Sequence, residues 1–147
     1  SCTVKKSTGR NELSEGTQGV LADESPYDFN IETNGTIIPS FHRDNVWFTY
    51  DYKTPSSLAE ESMNLDIFKV STRQDLIKFV VGSVEDLDCM RRIINEYTTK
   101  AQIYVSPVWG KIEAASIIDY MKTYNLQNVR FQLQIHKFVW DPDAKGV

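Results

Sequence analysis

From Val129 to Trp140 the chain alternates two chemistries with a period of two. Val129, Phe131, Leu133 and Ile135 fall on one side and Arg130, Gln132, Gln134 and His136 on the other, as successive side chains of an extended strand do. Amides and an imidazole at that spacing can read the donor and acceptor edge of a flat heterocycle. A solvated sheet face has the same composition. Three shorter segments also set polar groups beside turn signals. Glu32-Thr33-Asn34-Gly35-Thr36 carries a carboxylate into a turn that Asn and Gly favour through left-handed backbone. Asp51-Tyr52-Lys53-Thr54-Pro55-Ser56-Ser57 gathers an acid, an amine and hydroxyls around a proline, either as a Pro-bounded loop or as contacts to a polar ligand. In Ser106-Pro107-Val108-Trp109-Gly110, Pro107 fixes the backbone and Trp109 either packs on a flat base or fills the core.

The elements that must position these groups are legible from their patterns. Strands are expected at Tyr27 to Glu32, Asn45 to Tyr52, Asp75 to Val81 and Gln102 to Val105, with the alternating stretch as the last strand. Ser83 is placed to cap a helix, although Asp86 is a weaker capping-box partner than Glu or Gln. That helix sets Val84, Leu87, Met90, Ile94 and Tyr97 on one side, with Cys89 beside the stripe as a packing residue. A second helix, about Glu113 to Tyr124, is expected to bury Ala115, Ile118 and Met121, and Ser57 to Met63 reads as a weak helical turn. The first 26 residues show little periodicity. Leu13, Val20 and Leu21 offer at most a short helix there, weakened by Gly16 and Gly19. Strand, helix, strand, helix, strand predicts right-handed βαβ units and an α/β fold with a mainly parallel sheet. Ligands of such sheets bind beyond the carboxyl ends of the strands, where Glu32 to Thr36, Lys53 to Ser57 and Ser106 to Gly110 lie.

Composition narrows the functional classes. A chain of 147 residues suits one domain. It is 41% hydrophobic and 24% charged, and no apolar run approaches the roughly 20 residues that a membrane span needs. Sixteen basic against twenty acidic residues leave a net charge of −4, without a basic stripe for a phosphate backbone. Neither a membrane nor a nucleic acid is the expected partner. Cys2 and Cys89 are the two thiols, distant in sequence and with no secretory signal ahead of them, which suits a reducing cytoplasm.

The segments Asn30-Ile31-Glu32-Thr33-Asn34-Gly35-Thr36, Asp51-Tyr52-Lys53-Thr54-Pro55-Ser56-Ser57 and Gln134-Ile135-His136-Lys137-Phe138-Val139-Trp140, in that order, resemble the 7-carboxy-7-deazaguanine synthases. These are radical S-adenosylmethionine enzymes of the queuosine and deazapurine pathway. The resemblance implies a partial, truncated radical-SAM-type βα barrel. It implies adenosylmethionine contacts at Glu32, Asn34, Asp51, Tyr52, Lys53, Ser106, Pro107, Val108 and Trp109. Gln132, Gln134 and His136 would face the lumen toward a small-molecule pterin substrate, with Val147 at the end of a tail that folds toward the same pocket. The implied reaction is the ring contraction of 6-carboxytetrahydropterin to 7-carboxy-7-deazaguanine with loss of ammonia. In the family it uses adenosylmethionine, a four-iron four-sulfur cluster and magnesium, commonly in a homodimer.

The chain departs from the family pattern at its start. The cluster needs three closely spaced cysteine thiolates, which Cys2 and Cys89 cannot supply. The family's Thr-Gly-Gly-Glu-Pro segment has only Thr8-Gly9-Arg10-Asn11-Glu12-Leu13 near its expected place. The expectation is therefore a single domain over residues 1–147, the C-terminal part of such an enzyme, with 1–26 a poorly defined entry segment and no complete reaction by the chain alone. Two other readings stay open: a non-catalytic remnant or small-molecule binding module on the same half barrel, and a radical adenosylmethionine activase. We predict that anaerobic reconstitution of this chain with iron and sulfide yields no stable cluster. A stoichiometric visible chromophore held by one chain would refute that.

Overall fold

The structure, a computed structural model, describes residues 2–6, 27–57 and 63–140. Its elements, in chain order, are β1 (Cys2–Lys6), β2 (Phe29–Thr33), β3 (Val46–Tyr52), a 3-10 turn at Pro55–Ser57, α1 (Ile67–Val70), β4 (Leu76–Val81), α2 (Val84–Glu96), β5 (Gln102–Pro107), α3 (Ala114–Thr123), β6 (Val129–Phe131) and α4 (His136–Val139). They build one six-stranded sheet in sequential order. Strands β2 to β6 run parallel, and β1 lies antiparallel on the outer edge of β2. The α/β fold with a mainly parallel sheet is as expected. No helix among the described residues is long and apolar enough to cross a membrane.

Register gives the sheet two unlike faces. Ile31 pairs with Phe48, Tyr50 with Ile77 and Ile77 with Ile103, Tyr52 with Phe79 and Phe79 with Val105, so all of these point the same way. They form the core, together with Ile67 and Phe68 of α1, Leu87, Met90 and Ile93 of α2, and Ile117 of α3. Tyr52 packs its ring on Phe79 at 4.8 Å and Phe68 at 6.0 Å between centroids. Alternate residues of the same strands are polar and face the other way: Asn30 and Glu32, Thr49 and Asp51, Lys78, Gln102 and Tyr104.

Several expectations are corrected. The last strand does not run to Trp140; β6 stops at Phe131 and His136–Val139 is helical. Its final rung is the Gln132 N–H donating to the Val105 carbonyl at 2.9 Å. The next rung of a parallel ladder needs an N–H from residue 107 of β5, and Pro107 has none. The entry segment opens with strand β1 where none was foreseen, while its weak helix falls on residues outside those described. Helix α1 was also unforeseen; four residues are too few for periodicity to show, and the full burial of Ile67 and nearly full burial of Phe68 holds it. The turn expected from Ser57 to Met63 lies largely outside the described residues, after a 3-10 turn at Pro55–Ser57.

Both long helices bury a neighbouring arc to the one expected. In α2 the buried residues are Asp86, Leu87, Cys89, Met90 and Ile93, and Val84 is 54% exposed. In α3 Ile117 is buried, Ile118 and Met121 are partly covered, and Ala115 is exposed. Ser83 caps α2 as expected, accepting from the Asp86 N–H at 3.3 Å, and Cys89 is a buried packing residue.

At the amino end of the sheet, buried Asp75 joins β3 to the start of β4. Its carboxylate accepts from the Phe48 N–H at 2.8 Å, the Thr72 N–H at 2.6 Å and the Thr72 hydroxyl at 3.0 Å. Asp75→Ala leaves the Phe48 donor without a partner inside the sheet, which costs about 2–3 kcal/mol. Urea unfolding should show that loss, with a smaller one for Asp75→Asn, which keeps an acceptor.

Candidate functional site on the polar face of the sheet

The polar face is ordered in rows by the register. One row holds Glu32, Thr49, Leu76 and Gln102, and the next toward the carboxyl end holds Asp51, Lys78, Tyr104 and Arg130. Val80 and Ser106 begin a third. Among these groups Asn30, Glu32, Thr49, Leu76, Lys78, Tyr104 and Gln132 line a pocket of about 200 Å³. Part of the face is internally bonded. The Thr49 hydroxyl donates to Asn30 Oδ1 at 3.0 Å, and Arg130 donates to Gln102 Oε1 at 2.7 Å and to the Tyr104 hydroxyl at 3.3 Å. Ser106 is different: it is fully buried and its hydroxyl has no hydrogen-bond partner among the described residues. A buried hydroxyl without a partner is unfavourable unless something else supplies one.

Above the rows, the strand ends turn into short loops. After β2, Asn34 Oδ1 accepts from the Thr36 N–H at 3.3 Å and the Thr36 hydroxyl at 2.8 Å, while Gly35 takes φ +70°, a left-handed conformation natural to glycine. After β3, the Lys53 N–H points at the Met63 sulfur at 3.4 Å, and Thr54 donates to the Val80 carbonyl at 3.1 Å. After β5, the Val108 N–H donates to the Val81 carbonyl at 2.7 Å. A side chain at Gly82 would lie 3.4 Å from Ser56 Oγ and 3.6 Å from Val108 Cγ2, so the loops after β3 and β5 meet over the end of β4.

One buried carboxylate fixes this junction. Asp86 Oδ1 accepts from the Ser56 N–H at 2.9 Å, and Oδ2 accepts from the Ser56 hydroxyl at 2.5 Å and the Gly82 N–H at 2.7 Å. Burial works against the ionised form, but the Ser56 hydroxyl and the Gly82 and Ser56 N–H groups outweigh it and hold the carboxyl below its ordinary value.

The structure brings Glu32 and Gln132 to the same pocket and sets Asp51 in the adjoining row. Asn34, Lys53, Val108 and Trp109 stand at the strand-end loops, with Trp109 40% exposed. Tyr52 and Pro107 belong by register to the core face, so only their backbones border the site. Gln134 lies half-buried past the end of β6, and its carbonyl accepts from the Lys137 N–H at 3.0 Å at the start of α4. His136 is the first residue of that helix, away from the strand alternation expected for it. Val147 lies outside the described residues. Sequence reasoning missed Asn30, Thr49, Lys78, Tyr104 and Asp86. A lone lysine in Leu76-Ile77-Lys78-Phe79-Val80-Val81 was the available signal for Lys78.

Ser106, Asn34, Asp51 and Lys53 offer hydroxyl, amide, carboxylate and ammonium at one edge. An iron-sulfur cluster does not fit, since Cys89 is buried in α2 on the core side and Cys2 is the one other thiol. Among the described residues no three His, Cys, Asp or Glu side chains stand together to hold a metal ion.

Comparison with known proteins gives the family of the chain. The chain is 41% identical over 133 residues to the 7-carboxy-7-deazaguanine synthase of Clostridium acetobutylicum, covering 87% of this chain and 60% of that protein. It is 31% identical to that of Chlorobaculum tepidum over 152 aligned positions, 98% of this chain and 68% of that protein. The chain belongs to the 7-carboxy-7-deazaguanine synthase family. A third family member, from Methanospirillum hungatei, is 36% identical over 113 residues, 77% of this chain and 47% of that protein. The chain thus spans roughly half to two thirds of the synthases it matches. No family model matches it, and no solved structure does.

Because Asp86 has a lowered carboxyl pKa in the folded chain, its contribution to stability is present above the unfolded value near 3.8 and is lost as pH falls through the folded value. Asp86→Asn should flatten that acid limb in thermal melts between about pH 5 and 2. It should also raise hydrogen exchange at the Ser56 and Gly82 amides. A variant with an unchanged acid limb would show that these bonds do not set it.

Proposed function

We propose that this chain forms the cofactor rim and substrate wall of a 7-carboxy-7-deazaguanine synthase. The reaction would be the ring contraction of 6-carboxytetrahydropterin to 7-carboxy-7-deazaguanine, with loss of ammonia. The observation that carries the reading is the polar sheet face. Helices pack on the opposite side, and here the fully buried Ser106 hydroxyl, without a partner among the described residues, stands one row beyond Tyr104 of a pocket also lined by Glu32, Lys78 and Gln132. Family membership supports this reading of the reaction, and the loop junction at Gly82 offers an edge at which a nucleoside cofactor would sit.

Asn34, Asp51, Lys53, Ser106 and the backbone of Val108 and Trp109 would hold adenosylmethionine, which supplies the radical chemistry of the family. Glu32 borders both the rim and the pocket. Gln132 would read the pterin edge with one acceptor and two donors, and Gln134 and His136 would close the side past β6. The described residues offer no ligand set for the cluster or magnesium of the family, so no step is assigned through them. The same resemblance extends the reading to a cytoplasmic homodimer.

Replacing Gln132 by Leu in an active family enzyme that carries this sequence tests the wall. Removing paired hydrogen bonds to substrate should weaken its affinity or turnover by about tenfold to a hundredfold. The melting temperature should hold, because the leucine meets no tight aliphatic packing there. Gln134→Leu should have the smaller effect, since its backbone has left the strand. Unchanged kinetics in both variants would move these amides from the site to the surface.

A further inference from the structure

Charge is not spread evenly over the polar face. Its acids stand on β2 and β3, as Glu32 and Asp51, and its bases on β4 and β6, as Lys78 and Arg130. Arg130 is already occupied by Gln102 Oε1 and lies beside the Tyr104 hydroxyl. Lys78 is not. It is half-buried in the pocket of about 200 Å³. Its ammonium forms no hydrogen bond or ion pair with any described residue, Asp51 beside it in register included.

An ammonium has donors and no acceptor, and drawing it out of water without an anion is unfavourable. Lys78 is also the one charged residue in β4, between Ile77 and Phe79 whose side chains anchor that strand in the core. The anchored strand fixes where the amine enters the pocket, and Tyr104 and Gln132 flank it with neutral polar groups. A pocket with Glu32 on one side and the Lys78 ammonium, unpaired among the described residues, on the other matches a ligand with hydrogen-bond donors at one end and an anionic group at the other.

Resting on the assignment of this face as the binding wall, we propose that Lys78 receives the carboxylate of the ligand and so determines specificity for carboxylated ligands. Two ligands of the proposed reaction carry that group, the pterin at its 6-carboxyl and adenosylmethionine at its amino-acid end. The chemistry at Lys78 is the same for both: a charge-assisted hydrogen bond from the ammonium.

The test uses the full chain and two pairs of probes that differ by the carboxylate: 6-carboxypterin against pterin, and S-adenosylmethionine against its decarboxylated form. Titration calorimetry should show one carboxylated member binding about tenfold tighter than its counterpart. Lys78→Met should abolish that preference, while Lys78→Arg retains it. The pair that responds identifies the source of the carboxylate. A preference that survives Lys78→Met, or none in the unaltered chain although both probes bind, overturns the inference and leaves the binding wall standing. Failure of the unaltered chain to bind either pair overturns the wall and the inference together. If Lys78→Met does not fold, Lys78→Gln takes its place and is read in the same way.

Discussion

Parallel register is the constraint on which the rest of the molecule depends. Because side chains alternate faces along each strand, five strands held in phase sort their residues into two populations. Phe29, Ile31, Phe48, Tyr50, Ile77, Phe79, Ile103, Val105 and Val129 come together on one face. Glu32, Thr49, Asp51, Lys78, Tyr104 and Arg130 come together on the other. A slip of one residue in β4 would bury Lys78 among Tyr50, Leu87 and Met90 and expose Phe79, so the apolar core and the polar pocket are specified by the same event. The hydrophobic gain from the buried face is what holds partly bonded polar groups in place opposite it.

Two buried carboxylates secure the sheet at its two ends, and they do different work. Asp75 joins β3 to the turn before β4 at the amino end, far from the strand-end loops, and its bonds are part of the fold's own stability. Asp86 stands at the carboxyl end, in the first turn of α2. It ties the turn after β3 to the backbone after β4. A carboxylate accepting N–H groups at a helix N-terminus is also favoured by the helix dipole. The loops that border the pocket are therefore set by the same side chain that starts the helix, and the position of Ser56 is coupled to the packing of Leu87 and Met90 one turn on.

The element pattern was largely legible. Strands at β2 to β5 and helices α2 and α3 fall where β-branched and aromatic runs, the Ser83 cap and the three- and four-residue spacings put them. The failures have local causes. Val129 to His136 has unbroken two-residue alternation, yet its neighbour β5 presents Pro107 where the next donor is needed, and the strand ends. Val84 and Ala115 fit the helical stripe of their own helices but lie outside the buried arc, because the arc is chosen by the surface a helix lands on. The strand at Cys2–Lys6 pairs with β2 across a long stretch of chain, and nothing in its five residues announces that partner.

Sequence by itself determined the family, through three ordered segments, and the alternation that makes each strand two-faced. It also determined the donor types available to a ligand: the hydroxyl of Ser106, the amide of Gln132, the carboxylates of Glu32 and Asp51. Only the tertiary structure decided which of these meet. Register placed Lys78 and Tyr104 beside Gln132, turned Tyr52 into the core, and left Ser106 buried without a partner among the described residues. Those outcomes depend on which strand lies next to which, and on in-phase hydrogen bonding between residues that are 26 or more positions apart in several of these pairs. Local composition carries no record of that distance.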